Sequence, residues 1–141
     1  GVVVNDRLET SVPGIYAAGD IARVPDPRTG RPMRVEHWVV AERQGQAAAR
    51  NMLGLDAPWR DVPFFWSAHY DVTINYTGHA DAWDRAELAG DLGAASAIVS
   101  YWQDGQVAAV ATIGRDTDAL RAEVAMERND NAALVALMGN S

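Results

Sequence analysis

The sequence predicts an α/β segment over residues 1–58 and an α+β segment over residues 59–141. Three patterns carry that reading. Two short apolar runs, at residues 2–4 and 15–18, show no alternation, as strands buried on both faces of an α/β sheet do. An amphipathic stretch follows at about 37–53. Beyond a proline-bearing linker the period changes to two, and an Asp-Gly pair sits between two strand-like runs.

Each element has a local reason. Val2, Val3 and Val4 are β-branched and read as a strand. Asn5-Asp6 and residues 11–14 are turn chemistry. Residues 15–18 form the second run, ended by Gly19-Asp20. Residues 23–34 hold three prolines, one glycine and four arginines, and read as a loop. In the helix, Trp38, Ala41, Gly45, Ala48 and Met52 recur at steps of three and four and form the expected buried face. Glu42, Arg43, Gln46 and Arg50 take the other side, and Gly54 is a natural stop. Gly45 costs about 1 kcal/mol against Ala in a helix interior, which points to close approach of another backbone. Residues 56–63 read as a linker. Val72, Ile74 and Tyr76 alternate with Thr73, Asn75 and Thr77. Runs 97–102 and 106–113 flank Asp104-Gly105, a hairpin signal. Residues 118–128 read as a helix with Leu120 and Val124 on one face, and 132–138 as a short terminal helix. The second segment is therefore an antiparallel sheet of three or more strands, then helices.

Composition narrows the function. The chain has 12 Arg, no Lys, 19 acidic residues and a formal charge of −7, a balance that argues against a nucleic-acid partner. Without cysteine it holds no disulfide, Cys-based zinc site, iron–sulfur cluster or thiol nucleophile. His37, His69 and His79 are too scattered for a metal site, and none is expected. No apolar run approaches the roughly 18 residues of a membrane span. Trp59, Trp83 and Trp102 read as packing residues. Arg23, Arg28, Arg31 and Arg34 concentrate positive charge in an acidic chain, either as a solvated loop or as a docking surface for an acidic protein. A buried strand at residue 2, with no Met and nothing before it to pair with, reads as a fragment of a longer protein.

The chemistry sits in Thr10-Ser11-Val12-Pro13-Gly14-Ile15-Tyr16-Ala17-Ala18-Gly19-Asp20. Read physically, a short buried strand delivers an acid to its carboxyl end, where ligands of open α/β sheets bind. Gly19 removes side-chain bulk just before it. An ionised carboxylate accepts hydrogen bonds from the hydroxyls of a polyol or ribose. This string resembles the second FAD-binding motif of the pyridine nucleotide–disulfide oxidoreductases. Glu36-His37-Trp38 at the helix start and Pro63-Phe64-Phe65-Trp66-Ser67 after it resemble the ferredoxin reductase branch, which includes the apoptosis-inducing-factor-like proteins. This chain carries Ala68 and His69 where that branch often has Asp and Gln.

The resemblance implies a flavoprotein. Residues 1–58 would be the end of a Rossmann-like FAD-binding domain and residues 59–141 a C-terminal reductase or interface domain. Gly19 and Asp20 would hold the ribityl chain of FAD. Backbone groups around Glu36, His37 and Trp38 would meet the pyrimidine end of the flavin, with open first-turn N–H groups and the positive end of the helix dipole favouring the anionic reduced form. Trp66 would lie near the isoalloxazine face, where nicotinamide stacks. No catalytic residue is expected in the chain. The G-x-G-x-x-G loops for FAD and NAD(P)H are absent, and the resemblance puts them upstream, so the isolated chain is not expected to hold FAD tightly. The implied activity is electron transfer from NAD(P)H through FAD to a ferredoxin or Rieske-type iron–sulfur protein, in the cytoplasm. Another acceptor (a quinone, rubredoxin or nitrite-reductase partner) and a non-catalytic dimerisation module are the alternatives.

Overall fold

The computed structural model describes residues 1–139, which form two compact units, Gly1–Asp61 and a second beginning at Val62. In the first unit, β1 (Val2–Val3) pairs in parallel with β2 (Ala22–Pro25), and β2 pairs antiparallel with β3 (Pro32–Met33). Helix α1 (Trp38–Met52) completes it. Val4, Leu8, Ala17, Ala22, Val24, Met33, Val40, Ala47, Ala48 and Trp59 make its core. Leu8 is fully buried although its φ is +64°. A left-handed residue costs about 1 to 2 kcal/mol, which burial of one Leu, worth roughly 1.5 to 3 kcal/mol, offsets.

Three local expectations are corrected in this unit. Val2 and Val3 are 41% and 68% exposed, so β1 is not buried on both faces. Residues 15–18 are not a strand. Tyr16 makes one antiparallel bridge to Glu9, Ile15 is exposed, and the positive φ of Gly19 (+79°) turns the chain before a ladder forms. Part of the expected 23–34 loop is paired as β2 and β3. Asp26 closes the turn between them, its carboxylate accepting from Arg28 N–H and Thr29 Oγ1.

Helix α1 lies where its periodicity put it, but its buried face is turned. Val40, Gln44, Ala47, Ala48 and Asn51 face inward, while Trp38 and Met52 are about 60% exposed. In an Ala-rich helix the bulky residues at the two ends do not define the packed stripe. Nor does another backbone approach Gly45, since a Cβ there meets nothing within 4 Å. Gly45→Ala is therefore expected to raise stability by about 1 kcal/mol in urea unfolding, with a destabilised variant as the contrary result.

The second unit is the expected antiparallel sheet followed by helices, with five strands. They are β4 (Phe64–His69), β5 (Val72–Gly78), β6 (Arg85–Asp91), β7 (Ser96–Gln103) and β8 (Gln106–Ile113), in spatial order β4-β5-β8-β7-β6. Asp104 and Gly105 both have positive φ, which a two-residue turn of matching twist requires. The sequence pattern does not predict strand β6. It is an edge strand bearing Arg85, Glu87 and Asp91, so it lacks the apolar alternation of an inner strand.

Helices α2 (Asp116–Glu127) and α3 (Asn131–Met138) pack on the sheet face that presents Ile98, Trp102, Val107 and Val110. Asn75 Nδ2 donates to Asp116 Oδ1 at 2.8 Å, tying β5 to the start of α2. Leu120 and Val124 share one face of α2, as their spacing predicts, but that face is exposed. Ala119, Ala122, Ala125 and Met126 are buried instead, because small residues let α2 lie close to the sheet. Leu120 and Val124 line an open groove of about 430 Å³ with Ala133 and Leu137. Trp59 and Trp102 are core residues, whereas Trp83 is half exposed and meets Tyr101 edge-on at 5.2 Å. Among the described residues, no helix is long and apolar enough to cross a membrane.

Candidate functional site

The string that ends in Gly19-Asp20 folds into a loop closed by its own side chains. Asn5 Oδ1 accepts from Arg7 and Glu9 N–H, and Glu9 Oε1 accepts from Gly14 N–H at 2.7 Å. Leu8 and Ala17 then anchor it to the core. Gly19–Ile21 follows as a single 3-10 turn. Asp20 thus precedes β2 rather than ending a strand, which corrects the expected placement.

This turn is held from two directions. Gly19 is buried, and its N–H donates to Gln44 Oε1 at 2.8 Å. A Cβ on Gly19 would meet Ala41 Cβ at 3.1 Å, so the turn packs directly on α1. On the other side, Arg34 Nη1 donates to the Asp20 carbonyl at 2.9 Å. The same guanidinium pairs with the Glu36 carboxylate. Main-chain bonds thus fix Asp20 while its side chain stays exposed to solvent. An exposed carboxylate on a pinned backbone has acceptor sites for hydroxyl donors and little reorganisation to undergo on binding.

Glu36, His37 and Trp38 stand at the amino end of α1. His37 is its N-cap, with extended φ of −153°, and its ring Nδ1 accepts from Val39 N–H at 3.2 Å. The Val39 N–H is therefore not open to a ligand, a correction to the expected helix start. Capping by Nδ1 also puts the proton of a neutral imidazole on Nε2. The Trp38 ring is exposed and lies 5.9 Å from the His37 ring. The structure thus brings Gly19, Asp20 and Glu36 together through Arg34, and seats Gly19 on the helix that His37 and Trp38 begin.

Trp66 belongs to the second unit. It sits on the edge strand β4, 43% exposed, with the Phe64 ring 6.2 Å away. On the neighbouring alternate position, Phe65 stacks on Tyr76 at 5.1 Å, and Tyr101 follows at 6.0 Å. Burial, with Tyr101 adding to it, pushes the Tyr76 phenol up to about 12 and keeps it neutral. The arginine loop is mixed in character. Arg23, Arg31 and Arg34 are exposed, whereas burial pulls the Arg28 guanidinium below its ordinary pKa against the opposing pull of Asp26.

Sequence reasoning missed Gln44, and it reads Arg34 only as loop or docking charge. One signal was available for the first: Gln44 falls on the Val40, Ala47, Ala48 stripe of α1, an apolar face interrupted by an amide.

Residues 64–141, more than half of the chain, match the family described as Reductase C-terminal, and residues 1–45 match the Pyridine nucleotide-disulphide oxidoreductase family. Apoptosis-inducing factor 3 of Homo sapiens is 34% identical over 116 residues, covering 82% of this chain and 19% of that protein. The 3-phenylpropionate/cinnamic acid dioxygenase ferredoxin–NAD(+) reductase component of Photorhabdus laumondii is 37% identical over 99 residues, covering 70% and 25%. A chain in the crystal structure of the covalent putidaredoxin reductase–putidaredoxin complex superposes with a TM-score of 0.83 at 29% identity, covering 91% and 31%. The chain spans less than a third of the length of each of these three proteins. With both units accounted for by these matches, the chain belongs to the Reductase C-terminal family, in the ferredoxin reductase and apoptosis-inducing-factor-like branch of the pyridine nucleotide-disulphide oxidoreductases.

Proposed function

We propose that this chain is the C-terminal third of an FAD-dependent NAD(P)H oxidoreductase that delivers electrons to a ferredoxin in the cytoplasm, with a Rieske-type iron–sulfur protein as a close chemical equivalent. Residues 1–58 are the end of its FAD-binding domain, and residues 59–141 its reductase or interface domain. The observation that carries the reading is the exposed Asp20 carboxylate on a turn pinned by Gln44 and Arg34. Asp20 receives ribityl hydroxyls, and Gly19, whose missing Cβ lets the turn seat on Ala41 of α1, sets its position. The Glu36–Trp38 helix start stabilises charge at the flavin's pyrimidine end, and Trp66 shapes the nicotinamide side. When bound, FAD supplies two-electron acceptance from NAD(P)H and one-electron donation to the iron–sulfur acceptor. The open edge of β1, with Val2 and Val3 exposed, supports a further reading, that this mixed sheet pairs with another segment.

The test is anaerobic. The complete gene product is purified, its flavin content measured, and NADH and NADPH are added in turn. Bleaching of the flavin by one of them, with colour restored by oxidised ferredoxin, is the expected result. A flavin-free protein, or a flavin that neither nucleotide reduces, contradicts the proposal.

The arginine loop is the proposed ferredoxin contact. Arg23→Gln with Arg31→Gln is expected to flatten the ionic-strength dependence of ferredoxin reduction and to slow it about three- to tenfold at low salt. An unchanged salt slope assigns that charge to solvent instead. The open edges of β4 and β6 favour a second reading, a module that self-associates through its sheet. Light scattering together with a flavin spectrum of the complete gene product separates the two, because a colourless protein that only associates supports the module.

A further inference from the structure

We propose that Gln44 is the positioning residue of the flavin site, holding the Gly19–Asp20 turn in the conformation that receives the ribityl arm. The inference rests on the FAD reading of Asp20 and adds a residue to it. Gln44 is 2% exposed and sits inside α1 among Val40, Ala47 and Ala48. An apolar side chain there would pack as well, and burying an amide costs conformational freedom and hydration. The amide is explained by what it meets. Its Oε1 accepts the N–H of Gly19, 25 residues away in sequence, and the 3-10 turn has no capping side chain of its own. Without Gln44 that buried donor is left without its acceptor.

Asn51, two helical turns further along the same face, provides the contrast. Its amide bonds Arg7 O, Ala57 O and Ala57 N, at the start of the loop and after the helix, rather than any atom of the Gly19–Asp20 turn. One buried amide on this face thus ties a loop and the other ties the candidate site. Asp20 is the next residue after Gly19, so a tilt of the Gly19 peptide carries its carboxylate with it. Arg34 holds only the carbonyl on the far side. Small displacements of a positioning group cost binding out of proportion to their size.

The test uses the complete gene product with FAD. Gln44→Met keeps the volume and removes the acceptor. It is expected to weaken FAD binding about tenfold, the scale of one lost buried hydrogen bond. Gln44→Glu restores an acceptor oxygen in either protonation state and is expected to return affinity to within about threefold of the wild type. Asn51→Leu is expected to lower the melting temperature while leaving FAD affinity within about twofold, because it touches only the loop. Wild-type affinity in Gln44→Met overturns the proposal. So does a loss in Gln44→Met that Gln44→Glu does not restore, or equal losses of affinity in Gln44→Met and Asn51→Leu. If Gln44→Met does not fold, hydrogen exchange in the wild-type apoprotein decides. A slowly exchanging Gly19 amide supports the proposal, and a freely exchanging one overturns it. Failure of the FAD reading looks different: the wild type itself then binds no flavin.

Discussion

Asp20→Ala in the complete gene product weakens FAD binding by about 10- to 100-fold and leaves the unfolding midpoint of the protein almost unchanged. The size follows from removing a charged acceptor, since a hydrogen bond to a carboxylate contributes about 1.5 to 3 kcal/mol and each 1.4 kcal/mol is tenfold in affinity. The separation from stability follows from the structure. Arg34 binds the Asp20 carbonyl, Gln44 binds the Gly19 N–H, and both survive the substitution. Asp20→Asn, which keeps one acceptor oxygen and loses the charge, falls between the two. Isothermal titration of the apoprotein with FAD, beside a urea unfolding curve, reads both quantities. An Asp20→Ala protein that binds FAD like the wild type removes the carboxylate from the site. A protein that loses binding and stability together makes Asp20 a structural residue.

Gly78→Ala is expected to destabilise the protein by about 3 kcal/mol or more. Gly78 ends β5 with φ of +91°. A Cβ there would overlap the Ala108 carbonyl oxygen and stand 3.0 Å from Ala109 Cα and 2.9 Å from Met126 Sδ. Two of those atoms are backbone of the adjacent strand β8, and Met126 is a fully buried residue of α2. Moving the Met126 side chain leaves the two backbone contacts in place, and the Gly78 N–H bond to Pro63 O at 2.8 Å holds the residue there. Urea unfolding, followed by tryptophan fluorescence, checks it. A change below about 0.5 kcal/mol contradicts the packing described for β5, β8 and α2. The contrast with Gly45 is in the surroundings, because a methyl group on Gly45 meets open space.

The hairpin of β7 and β8 was legible because Asp104-Gly105 carries its own turn geometry, and β5 because its alternation is uninterrupted. Helix α1 was legible in extent, with the helix observed within a residue of its expected ends. Its face was not legible. Trp38 and Met52 drew the apolar stripe toward the ends, while Val40, Gln44, Ala47 and Asn51 pack inward. The same holds in α2, where Leu120 and Val124 outweigh the alanines in any count of hydrophobicity. In both helices, close approach selects small residues, and periodicity weighted by size misleads.

In the candidate site, the identities of Gly19 and Asp20 were legible and their setting was not. A run of four apolar residues reads as a strand from propensity alone, yet Gly19 turns the chain and only one bridge forms. Gln44 and Arg34 reach the turn across 25 and 14 positions, separations that no local pattern encodes. The resemblance makes His37 a flavin neighbour. Its cap on Val39 is a local contact, but histidine is not among the residues that usually announce a helix start.

The most direct measurement is a crystal structure of the complete gene product with FAD bound. A carboxylate oxygen of Asp20 within about 2.5 to 3.0 Å of a ribityl hydroxyl, on a Gly19 turn still bonded to Gln44, is the predicted result. A ribityl arm bound by other residues, with the Asp20 side chain left in open solvent, contradicts the account.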